Sequence, residues 1–241
     1  MLLKDISFTT PQENILLDEV LLLLAEENQQ GQGEVLRFWE SPEVFVVLGR
    51  IGKLEEEVFL KEVAGDRIPV LRRFSGGGTV LQGKGCLNYT LILSKESRPQ
   101  IRDLSGSYQF ILGKIILGLK ALKINAVFRP ISDIALTETE KKFSGNAQHR
   151  GKKYILHHGT ILYQFDLPLM GKYLKFPREI PLYRQGRSHS DFVANIPCRK
   201  MEIEMVLKEV WEISTEKNGL SVEEKKYLDR LLETKKIRLM N

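Results

Sequence analysis

Two stretches of this 241-residue chain have the residue types and spacing for chemistry on an anion. The first, Arg72 to Thr90, reads RRFSGGGTVLQGKGCLNYT. Three consecutive glycines, Gly76, Gly77 and Gly78, let the backbone take positive φ and approach a ligand with no Cβ in the way. Successive N–H groups in such a turn can form a concave anion site. Arg72 and Arg73 precede the glycines, and a guanidinium can make two-pronged contacts with phosphate or carboxylate. Together with Ser75 the set suits a phosphate-bearing or adenylated ligand. A wide hairpin turn with solvated arginines fits the same residues. The stretch is not a Walker A loop, because Gly-Lys-Ser/Thr does not follow the glycines, and no G-x-G-x-x-G opens a helix as in a dinucleotide fingerprint.

The second stretch is Lys142-Phe143-Ser144-Gly145-Asn146-Ala147-Gln148, followed by His157-His158-Gly159-Thr160. A lysine in front of a glycine turn is a compact cation that can hold a carbonyl or adenylate oxygen. As half of the Lys141-Lys142 pair it also reads as solvated. His157 and His158 are adjacent, so on a strand they point to opposite faces and cannot share one metal in the usual way. One then packs and the other lines a pocket. Asp133 is the best carboxylate for a hydrogen bond or a Mg²⁺ ion, with turn and cap roles as the alternative. Cys86 would be an acyl-accepting nucleophile if cations lowered its pKa, and a buried structural cysteine otherwise. Arg50 either faces a ligand or is solvated. No Ser-His-Asp set or metal cluster follows from spacing.

The totals restrict the setting. The length allows one large domain, with or without a small appendage, and a core that needs no staples. Two cysteines are too few for a disulfide framework or a four-cysteine zinc site, which favours a reduced, cytoplasmic setting. MLLKDISFTT lacks a long apolar core, so no signal peptide is expected, and Ile15 to Ala25 is too short and too acidic to span a bilayer. A formal charge of +5 with scattered lysines suits an acidic protein partner rather than nucleic acid.

The elements that must position these residues follow from periodicity. Residues 1–8 read as a strand. Thr10-Pro11-Gln12-Glu13 caps a largely buried helix that runs to about Asn28, with Gly31 as its stop. Val35–Trp39 and Val44–Leu48 read as paired strands, and Leu54–Ala64 as an acidic helix. Strands are expected at Ile68–Leu71, Leu87–Leu93, Val127–Phe128, on both sides of the Thr137–Glu140 loop, and at Tyr154–Phe165. Asp103 caps a long helix, Leu104–Leu122, whose apolar positions recur at helical spacing. A short helix over Leu167–Leu174 precedes a basic loop, Pro177–Ser190. Two terminal helices are predicted, Met201–Ser214 and Val222–Arg238, the second capped by Ser221-x-x-Glu224. Strands and helices mix without βαβ alternation, so the expected class is α+β.

These motifs resemble known ones. RRFSGGGTV with the downstream G-x-G-x-LNYT, then KKFSGNAQ and LHHGTIL, together with Leu36–Trp39 and Val47–Arg50, are similar in content and order to the lipoate-protein ligase A family of the biotin/lipoate ligase superfamily. The resemblance runs from about Asn14 to Asn195. It implies an α+β catalytic domain with a large mixed sheet flanked by helices over residues 1–200, with two helices from 201–241 packed on it. It implies a tunnel for lipoate or octanoate, activation as an acyl-adenylate with ATP and Mg²⁺, and transfer to a lysine of a lipoyl carrier domain. That carrier would belong to a 2-oxoacid dehydrogenase or be a glycine cleavage H protein.

On this resemblance Lys142 matches the lysine that contacts the acyl carbonyl and adenylate. Arg72, Arg73, Ser75 and Gly76 to Gly78 match the ligand-binding loop. Asn88, Asp133, Ser144, Gly145, His158 and Gly159 match positions near the pocket. Arg178, Arg184 and Arg187 would give a basic rim for an acidic carrier. The chain departs from the ligases at Gln82-Gly83-Lys84-Gly85-Cys86, where they usually carry His-Asp and, at Cys86, Asn; this shape is nearer the His-Gly-Pro-Gly-Gln of octanoyl transferases. The nucleophilic cysteine of the cysteine-type transferases is not in this neighbourhood. Ligases often have an additional C-terminal domain that assists adenylation, and here two helices take its place. Either a separate subunit supplies that help, or the protein transfers a preformed acyl group. A catalytically silent relative that binds lipoyl domains is the third reading.

Overall fold

The computed structural model describes residues 1–27, 33–177 and 179–236. The expected helix stop at Gly31, the rim residue Arg178 and the end of the last helix fall outside them. In order the elements are β1 (Leu2–Asp5), α1 (Pro11–Glu27), β2 (Val35–Trp39), β3 (Phe45–Leu48), α2 (Leu54–Glu57), α3 (Leu60–Gly65), β4 (Val70–Arg72), β5 (Val80–Gln82), β6 (Cys86–Ser94), α4 (Leu104–Ala121), β7 (Ala126–Arg129), β8 (Asp133–Leu136), β9 (Lys142–Arg150), β10 (Tyr154–Leu162), α5 (Pro168–Tyr173), α6 (His189–Phe192), α7 (Lys200–Val210), β11 (Thr215–Glu216) and α8 (Val222–Lys236).

The caps are where the sequence places them. Thr10 Oγ1 accepts the Glu13 amide at 3.4 Å at the head of α1, and Asp103 accepts the Gly106 amide at 2.8 Å at the head of α4. Ser221 and Glu224 form a reciprocal capping box, amide to carboxylate at 2.7 Å and amide to hydroxyl at 3.1 Å. Helix α1 is apolar on most faces because it is covered on more than one side. Its leucines meet Val35, Ile92 and Leu156 of the sheet and Leu228 of α8. The acidic helix expected over residues 54–64 is instead two short ones, since Val58 turns extended and bridges to Leu174.

The expected α+β class holds. Eight strands form one mixed sheet in the order β11-β1-β2-β6-β10-β9-β8-β7, with parallel pairing only at β11-β1-β2. Three more form a small sheet, β4-β3-β5. Residues 35–39 and 44–48 therefore do not pair with each other: β2 joins β1 and β6, whereas β3 lies between β4 and β5. Between them Ser41 Oγ accepts the Glu43 amide at 3.2 Å, a tight turn that carries the chain from one sheet into the other. Because β4 and β5 flank β3, the glycine stretch is a crossover past the end of β3 and not a hairpin turn.

The large sheet has two covered faces. On one, Leu36, Phe38, Leu87, Leu91, Ile155 and Ile161 pack with Ile111, Leu112 and Ile115 of α4 and with Ile203, Leu207 and Trp211 from the C-terminal part. On the other, α1 lies across the strands. The small sheet continues that second side, where Phe45, Val47 and Leu71 close on Trp39 and Ile15. Strand β11 pairs with β1, α7 packs on α4 and α8 on α1. No helix among the described residues is long and apolar enough to cross a membrane.

A buried ion pair fastens α8 to the opposite end of the chain. Lys4 Nζ lies 2.9 Å from Glu224 Oε2, and both side chains are almost wholly enclosed. Removing one partner of such a pair leaves an uncompensated buried charge, at a cost of about 3–5 kcal/mol. Glu224→Ala is accordingly expected to lower stability by that order in chemical denaturation, with the sheet signal and α8 lost in one transition.

Candidate functional site

Strand register lays out the site. Side chains directly opposite on neighbouring strands share a face. Arg37, Thr90, His158 and Ala147 form one such row across β2, β6, β10 and β9, on the side covered by α1. Two residues along, Trp39, Asn88, Thr160, Gly145 and Asp133 form the next. The rows are separated by one alternate-residue step, about 6.6 Å.

The glycine crossover lies over the first row. A Cβ on Gly77 would sit 3.3 Å from the Ala147 Cβ, and Gly77 itself takes φ +82°, which favours glycine. Its shape is set from within. Arg73 is buried, and its Nη2 donates to the carbonyls of Gly76 at 2.7 Å and Gly78 at 2.8 Å, while Nε reaches Ser75 Oγ at 3.1 Å. Burial pulls the guanidinium pKa down to about 10, still a cation at neutral pH. Arg72 donates to the carbonyls of Gly49 and Gly52, both at 2.8 Å. The two arginines thus grip backbone oxygens. With the carbonyls held inward, none among the described residues accepts a hydrogen bond from the amides of Gly76, Gly77 or Gly78, and Gly77 and Gly78 are exposed. Such an array of outward amides suits an anion. Gly49 is a partner that sequence reasoning missed. A Cβ there would fall 1.9 Å from the Gly77 carbonyl oxygen, so the end of β3 must be bare for the crossover to pass.

The second row carries the other cation. Lys142 curls over Gly145: a Cβ on Gly145 would lie 2.9 Å from Lys142 Nζ. The ammonium meets Asp133 Oδ1 at 2.7 Å, and the Tyr183 hydroxyl donates to Asp133 Oδ2 at 2.7 Å. A register shift between Ile134 and Ala135 brings Lys142 opposite Ala135, on the same face as Asp133. Beside it Gln82, Asn88 and Thr160 close a triangle of hydrogen bonds: Gln82 Nε2 to Thr160 Oγ1 at 2.7 Å, Thr160 Oγ1 to Asn88 Oδ1 at 2.6 Å, and Asn88 Nδ2 to Gln82 Oε1 at 3.0 Å. Gln82 can close it because a carboxamide both donates and accepts.

The two histidines separate as adjacency on a strand requires. His157 is buried against Tyr89 and Tyr108, and burial, with His158 nearby, drives its pKa down to about 3. His158 is on the α1 side, with Nε2 2.7 Å from Ser75 Oγ and Nδ1 3.4 Å from Asp18 Oδ2. Asp18 comes from α1, and nothing in the spacing of residues 18, 75 and 158 signals the assembly. Ser144 and Gly159 do not join this group. They face the α4 side, where Gly159 leaves room for the Tyr89 hydroxyl and Asn146 (a Cβ would meet them at 2.6 and 1.9 Å) and Ser144 Oγ accepts from Asn146 at 3.3 Å.

One alternative closes and one expectation changes. Cys86 is fully buried and burial pushes its thiol far above the ordinary range, so it is the structural cysteine and not a nucleophile. Arg184 is not on a basic rim. It is 2% exposed and lies between Phe176 and Phe192, 4.6 and 4.8 Å from their centroids. Arg187 is turned inward as well, donating to the Tyr183 carbonyl at 2.7 Å. Among the described residues no cluster of three His, Cys, Asp or Glu side chains could hold a metal.

With this geometry in place, comparison with known proteins assigns the class: residues 10–226 match the lipoyl protein ligase A/B catalytic domain, and the chain belongs to that family. It is 33% identical to a probable lipoate-protein ligase A of Mycoplasma genitalium over 68% of this chain and 46% of the relative. It is 26% identical to octanoyltransferase LipM of Geobacillus kaustophilus over 96% of this chain and 93% of that one. The chain spans about half the length of the ligase relatives from Mycoplasma and Schizosaccharomyces pombe. In fold it is similar to the bi-partite lipoate protein ligase of Thermoplasma acidophilum, with a TM-score of 0.81 at 23% identity, covering 96% of this chain and 91% of that one. A lipoate-protein ligase A bound with ATP gives 0.79 at 23% identity, covering 96% and 93%.

Two solution measurements follow from the burial pattern. A thiol reagent is expected to modify at most Cys198 in the folded protein and both cysteines after denaturation; reaction of Cys86 at the Cys198 rate would contradict its burial. His157 takes up its proton in the unfolded state near 6.5 but in the folded state only near 3, so the unfolded chain binds more protons between those values and stability rises with pH there. Going from pH 6.5 to 5 is expected to cost about 2 kcal/mol through this group, and His157→Gln should flatten that part of the stability profile.

Proposed function

We propose that the protein attaches lipoate or octanoate to a lysine of a lipoyl carrier domain, with an acyl-adenylate made from ATP as the activated form. The observation that carries this reading is the placement of two separate anion-stabilising groups over one strand. The bare Gly77 backbone crosses β9 at Ala147, with the amides of Gly76 to Gly78 unpartnered among the described residues, and the Lys142 ammonium lies over the same strand at Gly145, one alternate-residue step away. That separation suits the two ends of an acyl phosphate anhydride. The amides would take the phosphate and Lys142 the carbonyl oxygen, on which negative charge grows as an amine attacks. Holding phosphate and carbonyl still against the incoming amine is mostly proximity catalysis. Asp133 aims Lys142. The nucleophile is the lysine of the carrier, a lipoyl domain of a 2-oxoacid dehydrogenase or a glycine cleavage H protein.

A Mg²⁺ ion would come here on the nucleotide phosphates, with Asp133 as the carboxylate at the Lys142 end, since among the described residues no cluster of three His, Cys, Asp or Glu side chains could hold it alone. When bound it would neutralise phosphate charge. Asp133 would have to share oxygens now engaged with Lys142 and Tyr183.

Transfer from acyl carrier protein or from a preformed acyl-adenylate is the second reading. What favours it is the match to an octanoyltransferase over 96% of this chain and 93% of that one. A ligase with a separate subunit for adenylation would fit the bi-partite architecture of the Thermoplasma relative. The burial of Cys86 argues against a thioester route through that residue.

The test is the mass of a lipoyl carrier domain after incubation with the protein. A lipoyl-sized gain that needs ATP is expected, with Lys142→Ala lowering the rate by about 10²-fold or more. Gain from octanoyl-acyl carrier protein or synthetic lipoyl-adenylate, and none from lipoate with ATP, would select the second reading. No gain from any donor would refute both and leave the carrier-binding relative.

A further inference from the structure

The acyl-attachment reading uses the glycine crossover but leaves unexplained what holds it to the sheet. The answer runs through four elements. Asp18 on α1 is buried, and its Oδ1 accepts from Arg37 Nη1 at 2.6 Å. Its Oδ2 accepts the Thr90 hydroxyl at 2.8 Å and faces His158 Nδ1 at 3.4 Å. Burial works to raise the carboxyl pKa, but Arg37, with His158 and Thr90, outweighs it and holds the group below the usual carboxylate range. An ionised carboxylate can only accept. His158 Nδ1 must therefore carry the proton, and in a neutral ring Nε2 is then an acceptor. The atom facing Nε2 at 2.7 Å is Ser75 Oγ, which donates its proton there and accepts Arg73 Nε–H at 3.1 Å. With the ring neutral, the donors of this series meet acceptors in one direction only.

The constellation has the composition of a Ser-His-Asp triad, but the exposure of its members rules that use out here. Ser75 has no solvent-accessible surface, and its oxygen already accepts from the guanidinium that shapes the loop. A nucleophile must reach an acyl carbon.

We infer that Asp18 is a positioning residue for the anion-binding loop: it fixes His158 in the Nδ1–H tautomer, so that Nε2 accepts the Ser75 hydroxyl and pins the crossover over Ala147. This rests on the acyl-attachment reading only for what the loop binds. The pinning itself belongs to the resting protein. In the wrong tautomer Nε2–H would point at Ser75 Oγ, the serine proton would lose its acceptor, and His158 would offer Asp18 a lone pair against its negative charge. Loss of one such buried hydrogen bond should weaken ligand binding to the loop roughly ten-fold.

The experiment is nitrogen NMR on the full chain labelled with ¹⁵N at histidine and glycine. Wild type is expected to show His158 as the Nδ1–H tautomer. Asp18→Asn should lose that preference and move the amide resonances of Gly76, Gly77 and Gly78. Because that variant strips Arg37 of its counter-ion and risks not folding, His158→Gln and His158→Leu form the second arm, with Asp18 and Arg37 intact. The Gln oxygen can accept the Ser75 hydroxyl where Leu cannot. The glycine resonances and the ATP KM should therefore stay near wild type in His158→Gln, and in His158→Leu the resonances should move and the KM rise about ten-fold with a smaller change in kcat. An Nε2–H tautomer in wild type, or Gln and Leu variants alike in their glycine resonances, would overturn the inference. A protein that showed the expected tautomer and rescue but no turnover with any acyl donor would support the pinning and count against the acyl-attachment reading alone.

Discussion

An arginine without water has to find its acceptors inside the protein, and Arg37, paired through both Nη atoms while its Nε has no partner among the described residues, imposes that requirement on the whole α1 side of the sheet. It projects from the middle of β2 and is fully enclosed. Its donors reach the Asp18 carboxylate, the Asn14 carbonyl at 2.7 Å and the Ile6 carbonyl at 3.0 Å. The strand-to-helix connection and the first two turns of α1 are thus fixed relative to the sheet by one side chain. A buried pair of this kind is not a large source of net stability, because desolvation consumes most of its Coulombic gain. What it imposes is geometry. It allows α1 one rotation about its axis, and Asp18 then faces His158.

The arginines of the glycine stretch follow the same logic. From sequence they read as hands for a ligand, because two guanidiniums next to three glycines form a familiar anion signature. In the structure Arg73 gathers the carbonyls of Gly76 and Gly78, and Arg72 those of Gly49 and Gly52. A carbonyl turned inward leaves its neighbouring amides turned out. The positive character of the site is thereby moved from side chains, which are long and carry rotamer entropy, to backbone dipoles that are held in place. Lys142 is the exception, and it is a short reach because Gly145 leaves the space beneath it empty.

How much of this was legible depended on whether the signal was local. Caps at Thr10, Asp103 and Ser221 were readable because the partner is three residues away. The long strands β6 and β10 and the helix α4 were readable from periodicity, and the opposite facing of His157 and His158 from the two-residue repeat of a strand. The family motifs located Lys142 and the crossover. The separation of β2 from β3 into different sheets was not readable, since both strands are entirely buried and a short, mostly apolar run does not state its neighbour. Arg184 misled for a related reason: a guanidinium between two aromatic rings has the same letter in the sequence as one in water. The roles of Asp18 and Tyr183 were invisible because their partners lie far along the chain, and one carboxylate among several on a leucine-rich helix reads as part of its polar face.

That remoteness has a consequence for how the protein is made. Ser75 meets a partner 83 residues ahead, Thr90 one 72 residues behind, and Asp18 one 140 residues ahead. Contacts of such separation are the last to be rewarded during folding, since the chain between them must first be ordered. On the ribosome, where domains acquire structure as the chain emerges, the glycine crossover is synthesised long before His158 exists to hold it. A nascent chain that has passed the glycines but not yet β10 has the letters of the anion site without its shape. In the unfinished chain nothing yet holds the crossover over Ala147, and the arrangement comes into being only once β10 has joined the sheet.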